Sequence, residues 1–340
     1  MTAARHDLRL RQRARPRRWL TLILLAALAL TMVPLPGQVA RAATIAVTSA
    51  ADLIDPADGL CTLREAIVVA NTNAQLPGAV PGECPAGVMA PGVDTITLAA
   101  GAVYTLTVVG VDDSGEVGDL DITESVNLQV ADGGTATIDG NGVVTGDRVL
   151  DIDPAATTGV DVAITGLTIR NGRDPAGAGN GGGIRAQGDG TITITDSVIS
   201  GNSSGTLPAS GVGGGIYYFP SGGSLTISGS TISGNVASQG GGIAAGGGGA
   251  LTITGSTISD NGDANPFAPT AIGGGVLYTA TALLTITGST ISGNGASQAA
   301  GVAYSASGTG MALTDSAITA NTALLGGGGL LYAQYDPTGN

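Results

Sequence analysis

The sequence contains no lysine, and past residue 42 it has neither histidine nor tryptophan. Eight of its 13 basic residues fall within residues 1–42, leaving Arg64, Arg148, Arg170, Arg173 and Arg185 against 25 acidic residues. That stretch carries a net charge of −20 and has no basic residue after Arg185, so nucleic acid and anionic membrane surfaces are poor partners for it. The triple glycines are not a phosphate-binding loop, because no lysine follows them. Cys61 and Cys84 are the only cysteines, and without histidine they lack the ligands of a closed zinc site. Long apolar runs are missing too: Leu20 to Val33 falls short of the roughly 20 residues a membrane span requires.

That short run has another use. Seven arginines from Arg5 to Arg18 precede it and Ala40-Arg41-Ala42 offers a small-x-small cleavage site, so residues 1–42 read as a secretory signal peptide. The mature chain is then expected outside the cell or on its surface, with no transmembrane segment. In that compartment a Cys61–Cys84 disulfide is the expected fate of the two thiols.

What the chain has in abundance is one phrase, repeated five times and best preserved as LTITGSTISGN from Leu284 to Asn294. Its relatives begin at Ile192, Leu225, Leu251 and Met311, and they align Asn202, Asn235, Asn261, Asn294 and Asn321 at steps of 33, 26, 33 and 27 residues. Within a phrase, apolar residues alternate with Thr or Ser, which is the period of a strand. A second series of glycines closing on an aliphatic residue (Ile184, Ile216, Ile243, Val276, Val302, Leu330) supplies a further short strand per unit. Three strands separated by Gly, Asn and Ser turns describe one coil of an all-β, single-stranded right-handed parallel β-helix, a pectin-lyase-like solenoid. A lone coil leaves its edges and much of its core open, so stability has to come from stacking.

Stacking turns columns in the sequence into ladders about 4.8 Å apart. The asparagine column is expected to be a structural turn ladder. The outward pairs Thr193 with Thr195, Thr226 with Ser228, Thr252 with Thr254, and Thr285 with Thr287 form a flat hydroxyl and methyl face. Such a face suits a glycan or another regular surface, including ice; equally, Thr favours exposed strand positions for its own reasons. Tyr218, Tyr278, Tyr304 and Tyr332 lie two residues past the aliphatic column and are expected inside. A slip of one residue would turn them outward, where a row of rings suits sugar stacking.

Residues 43–109 differ in texture from the solenoid expected over 110–340. Thr62 with Glu65 three residues later is a capping box, Leu63, Ala66, Ile67 and Ala70 form an apolar stripe over two turns, and Asn71 can end the helix in the left-handed conformation. A helix this short needs tertiary support, so it is expected to cover the open first coil. The heptapeptide CTLREAI at Cys61–Ile67 resembles the N-terminal signature of the CSLREA-domain family of exported bacterial proteins, with Thr62 in place of Ser. DTITLAAGAVYTLTV from Asp94, GDLDI from Gly118, ATIDGNG from Ala136 and GLTIRNG from Gly166 are similar to that family's passage into its β-helix. The later coils resemble polymorphic outer-membrane-protein repeats. The resemblance implies a secreted or surface-attached solenoid and carries no catalytic residues with it.

Two places hold candidate chemistry. Asp112, Asp113, Glu116, Asp119, Asp121 and Glu124 form an acidic cluster whose spacing fits neither of the common calcium loops; a solvated charged loop is the ordinary explanation, and calcium stays open as a cofactor. Arg148 to Arg185 is the only region mixing both signs, with Asp151, Asp153, Asp161, Arg170, Arg173 and Asp174. A polysaccharide lyase or glycoside hydrolase would need its base or carboxylates there. The well-preserved phrases are nearly free of titratable groups, so a non-catalytic structural or adhesive module is the expectation and an enzyme the alternative.

Overall fold

The computed structural model describes residues 42–156, 159–174, 179–205, 211–262, 271–307 and 310–334, which belong to one compact unit, Ala40–Asn340. The expected signal peptide lies outside the described residues apart from Ala42. Every paired strand runs parallel to its neighbours, and successive coils lay down three sheets in turn. Among the described residues the first sheet has nine strands, from Thr44–Ala46 through Thr191–Thr195, Ser224–Ser228, Ala250–Thr254 and Leu284–Thr287 to Met311–Thr314. The second runs from Val103–Thr105 to Ala317–Thr319 and the third from Leu120–Ile122 to Leu330–Gln334, with eight strands each.

Register follows the phrase. Ile194, Ile227, Ile253 and Ile286 stack in the first sheet, Ile199, Ile232, Ile258 and Ile291 in the second, and Ile184, Ile216, Ile243 and Val276 in the third. All are buried in one continuous core. Like sits on like, so each β-branched side chain meets the same shape one coil above and below. Tyr218, Tyr278 and Tyr304 stand in this core at 0% exposure, while Tyr332, at the last described strand, is 48% exposed. The rings of Tyr278 and Tyr304 stack inside the coil and Tyr332 stacks on Tyr304 at the open end, so this column presents no outward aromatic row to a sugar.

Two corners between sheets are held by side chains. At the first, the chain takes positive φ at Asp196, Gly229, Gly255, Gly288 and Asp315, and the following serine seals the turn. Ser197, Ser230, Ser256 and Ser289 each present a backbone N–H to the serine hydroxyl of the next coil at 3.1–3.2 Å. At the second corner the positive-φ residues are Gly201, Gly234, Asp260, Gly293 and Ala320, and an asparagine follows each. Asp196, Asp260 and Asp315, among the few acids in the repeats, are thus turn residues, since Asp tolerates the left-handed region better than most side chains.

The asparagine ladder uses both ends of every amide. Asn202, Asn235, Asn261 and Asn294 each direct their backbone N–H and their Nδ2 to the Oδ1 of the next asparagine, all at 2.9–3.0 Å. The second Nδ2 proton goes to an isoleucine carbonyl of the preceding coil, as from Asn235 to Ile199 at 2.9 Å. These four amides are buried to 2% exposure or less, so the ladder removes the cost of leaving polar groups dry and unpaired.

The N-terminal end is closed by helix α1, Leu63–Thr72. Thr62 and Glu65 exchange the two bonds of a capping box. Burial exceeds the expected stripe: all residues from Leu63 to Ala70 are buried. Arg64 is 1% exposed, and its five N–H groups are divided among Asp52 and the carbonyls of Gly115, Gly118 and Asp119. The left-handed residue ending the helix is Asn73 (φ 54), not Asn71 as expected from the sequence. Asn71 remains helical because the edge of the third sheet claims its side chain: Nδ2 donates to the Asp121 carbonyl at 2.7 Å and Oδ1 accepts from the Thr123 N–H at 2.9 Å. Its amide thereby replaces the missing neighbour of edge strand Leu120–Ile122. Cys61 and Cys84 form a disulfide that ties α1 to the loop behind it.

Replacing Asn235 by Ala strands a buried N–H and a buried carbonyl, and is expected to cost about 3 kcal/mol in chemical denaturation. Thr252→Ala, on the outer face, should change stability by less than about 0.5 kcal/mol. The Cys61→Ser, Cys84→Ser double variant is expected to lose about 2–4 kcal/mol, with earlier hydrogen exchange concentrated in α1.

Candidate functional site

Strand alternation sends the second residue of each core pair outward, and registration lines these residues up. Thr193, Thr226, Thr252 and Thr285 form one column of the first sheet and Thr195, Ser228, Thr254 and Thr287 the next. The columns continue on the earlier side through Ala163, Asn127 and Thr95, and through Thr165, Gln129 and Thr97. On the later side they continue through Ala312 and Thr314. No charged residue occurs in either column. The hydroxyls are partly exposed, and Thr195 and Ser228 share a hydrogen bond of 3.2 Å across adjacent coils. A groove of about 410 Å³ opens where small Ala163 interrupts the row, lined by Asn127, Asp161, Thr191 and Thr193 among others.

A second groove, of about 490 Å³, lies beside the second sheet at Asp139, Asn141, Asn171 and Arg173. Its carboxylate is already engaged, since Asp139 accepts from Arg170 at 2.9 Å and from the Asn171 amide at 3.0 and 3.1 Å.

The first three strands of the third sheet differ from the first sheet in carrying charged outward residues under cover, whereas the same column continues later through Tyr217, Ala244, Leu277 and Ala303. Asp121, Asp151 and Arg185 occupy the same register position on three successive strands. Arg148 reaches Asp119, Asp151 and Asp174 at 3.1 Å each, and Arg185 pairs with Asp151. The structure thus joins the two places the sequence marked separately. It also corrects the expectation of a solvated acidic loop: Asp113 and Glu116 are exposed, but Asp119 and Asp121 are 2% and 0% exposed because Arg64 and Asn71 draw this segment under α1. Asp147, which lies between Asp119 and Arg148, went unmarked. The signal for the pairing was present in the sequence as Leu-Asp-Ile, which occurs at Leu120–Ile122 and again at Leu150–Ile152.

Burial governs the protonation of this cluster. The Asp121 carboxyl is pushed up to about 9, by desolvation first and then by Asp119 and Asp151, and Asp119 to about 7, by desolvation and then by Asp147. Asp147, Asp151 and Asp174 are raised by burial as well. Burial would lower the Arg148 guanidinium, but the surrounding carboxylates outweigh it and hold the charge. A carboxyl that stays protonated near neutrality resembles a general acid, yet with almost no exposed surface neither Asp119 nor Asp121 can touch a polymer.

The sign of the pH dependence follows. Groups titrating near 7 and 9 when folded and near 4 when unfolded bind protons on folding, so they weaken stability as pH rises between those limits. Asp112, Asp113, Asp147, Asp151 and Asp174 face the same cluster, with Arg148 and Arg185 opposing them. In metal-free buffer the protein is expected to be several kcal/mol less stable at pH 8.5 than at pH 5.5 by urea unfolding. The Asp119→Asn, Asp121→Asn double variant should abolish most of that difference.

Comparison with known proteins agrees with this architecture. No curated protein and no solved structure matches the chain. A family model does: that of the right-handed β-helix region matches residues 112–334, from the acidic loop to the last described strand and well over half of the sequence. With three parallel sheets in register across that span, the chain belongs to the right-handed β-helix family.

Proposed function

We propose that this protein is an exported, non-catalytic surface or adhesive module whose threonine sheet holds a neutral glycan. The observation that carries this reading is the pair of outward columns on the first sheet, uncharged through eight strands of a strongly acidic chain. Evenly spaced hydroxyls and methyls about 4.8 Å apart offer a repeating polymer the same contact at every coil. The groove at Ala163 adds the amide of Asn127 and the carboxylate of Asp161, the kind of polar groups that fix a sugar's orientation. Nucleic acid and anionic glycans are disfavoured by charge.

Export is supported by the arginine-rich, apolar segment before residue 43 and by the Cys61–Cys84 disulfide. No helix among the described residues is long and apolar enough to cross a membrane. The likeness of Cys61–Ile67 to the CSLREA signature points the same way, and the structure gives that motif physical roles: Thr62 and Glu65 cap the helix, Arg64 binds the acidic segment, and Cys61 anchors the loop.

On an array of neutral and acidic glycans, the purified protein is expected to retain neutral polysaccharides. Ala163→Arg, which fills the groove, and the Thr226→Arg, Thr252→Arg double variant should each weaken retention at least tenfold with the circular dichroism spectrum unchanged. Arg173→Ala, in the other groove, should leave it intact. Release of unsaturated or reducing sugars by the purified protein would establish a lyase or hydrolase instead.

A further inference from the structure

We propose that Asp119, Asp121 and Asp151 hold a divalent cation, calcium in preference to magnesium, beneath the N-terminal cap. One carboxylate oxygen from each lies within 4.8 Å of the others, and all three residues are at most 2% exposed. The decisive group is Asp121. Its Oδ2 accepts from the Gly115 N–H at 2.9 Å, but its Oδ1 is buried with no hydrogen-bond donor. What approaches Asp121 is the side chain of Asp112, another acceptor. Two carboxylates that face each other need either a cation or a shared proton between them.

The arginines do not fill this need. Arg148 and Arg185 bond to Asp119, Asp151 and Asp174, not to Asp121, and Arg64 uses its donors on Asp52 and three carbonyls. Asp112, Asp113, Asp119, Asp121, Asp147, Asp151 and Asp174 outnumber the two arginines among them, so the local charge is negative. An all-oxygen donor set with no imidazole or thiolate selects a hard ion. Donors drawn from a turn and two strands, with Asp112 at the rim, make an irregular shell. Calcium tolerates such a shell, whereas magnesium demands a near-ideal octahedron. The site lies away from the threonine sheet and does not depend on glycan binding. Its role is to fasten the segment carrying Asp119 and Asp121 to the next coil.

The test is titration of the chelator-treated protein with calcium chloride, and with magnesium chloride for comparison, followed by calorimetry and thermal unfolding. One calcium per chain is expected. The unfolding midpoint should rise by about 4 °C once calcium exceeds its dissociation constant a hundredfold. Asp121→Asn keeps the size of the side chain and the acceptor for the Gly115 N–H without a carboxyl that burial penalises when it ionises, so it should fold and be at least as stable as the wild type without metal, while binding calcium at least tenfold more weakly. Asp112→Asn, at the half-exposed rim, should weaken calcium binding less. Absence of any heat or midpoint shift at about 10 mM calcium would overturn the site and leave the proton-sharing pair. A wild-type response in Asp121→Asn would overturn it too.

Discussion

A side-chain amide can donate and accept along the same line, and a parallel solenoid turns that property into a structural rule. Asn235, Asn261 and Asn294 each take two bonds on Oδ1 and give two from Nδ2, so the amide at the second corner of these coils is saturated by the protein itself. At the corner the asparagine's own N–H leaves the backbone ladder that Gly234 and Val236 keep on either side of it, and the next buried amide takes it instead. The ladder therefore decides where a coil turns. With the corner fixed, the isoleucines on either side fall into register. The serine column at the other corner works by the same logic with one fewer donor.

From that constraint follows the division of labour among the sheets. Inward positions are committed to stacked aliphatics and the tyrosine column, so variety is found mainly at outward positions and loops. The first sheet keeps its outward positions neutral and repetitive. The third, near the N-terminus, carries Asp121, Asp151 and Arg185 at the equivalent position and roofs them with α1 and the 112–119 segment. One sheet is thus an open uniform surface, and another is a closed charged joint between the cap and the first coils.

How much of this was legible in the sequence depended on periodicity. Strands, corners, the asparagine ladder and the inward tyrosines could be read because each recurs, and a repeated residue in a solenoid has the same neighbours in every coil. The cap offered no repetition, and there the reading was partial. The Thr62–Glu65 box is local and was visible. The use of Asn71 was not, because its partners are the backbone of Asp121 and Thr123, some fifty residues later. Arg64 gave no sign of its burial, since its partners are mostly carbonyl oxygens, which carry no sequence identity. The acidic cluster looked solvated for the same reason: spacing along the chain does not show that a helix will fold over it. The Leu-Asp-Ile pair was the one repeated clue there, and two occurrences are few to read.

The uneven steps between asparagines have a consequence for how such a chain changes over generations. A step of 26 and one of 33 present identical rungs to their neighbours, because nearly all the surplus residues fall between the second corner and the third sheet. A duplicated or deleted coil would therefore enter or leave the stack with every amide, hydroxyl and isoleucine still matched. Unequal recombination within the gene could lengthen or shorten the molecule by single increments while leaving its cap, its corners and its outer texture unaltered, making reach an inherited variable that is separate from fold.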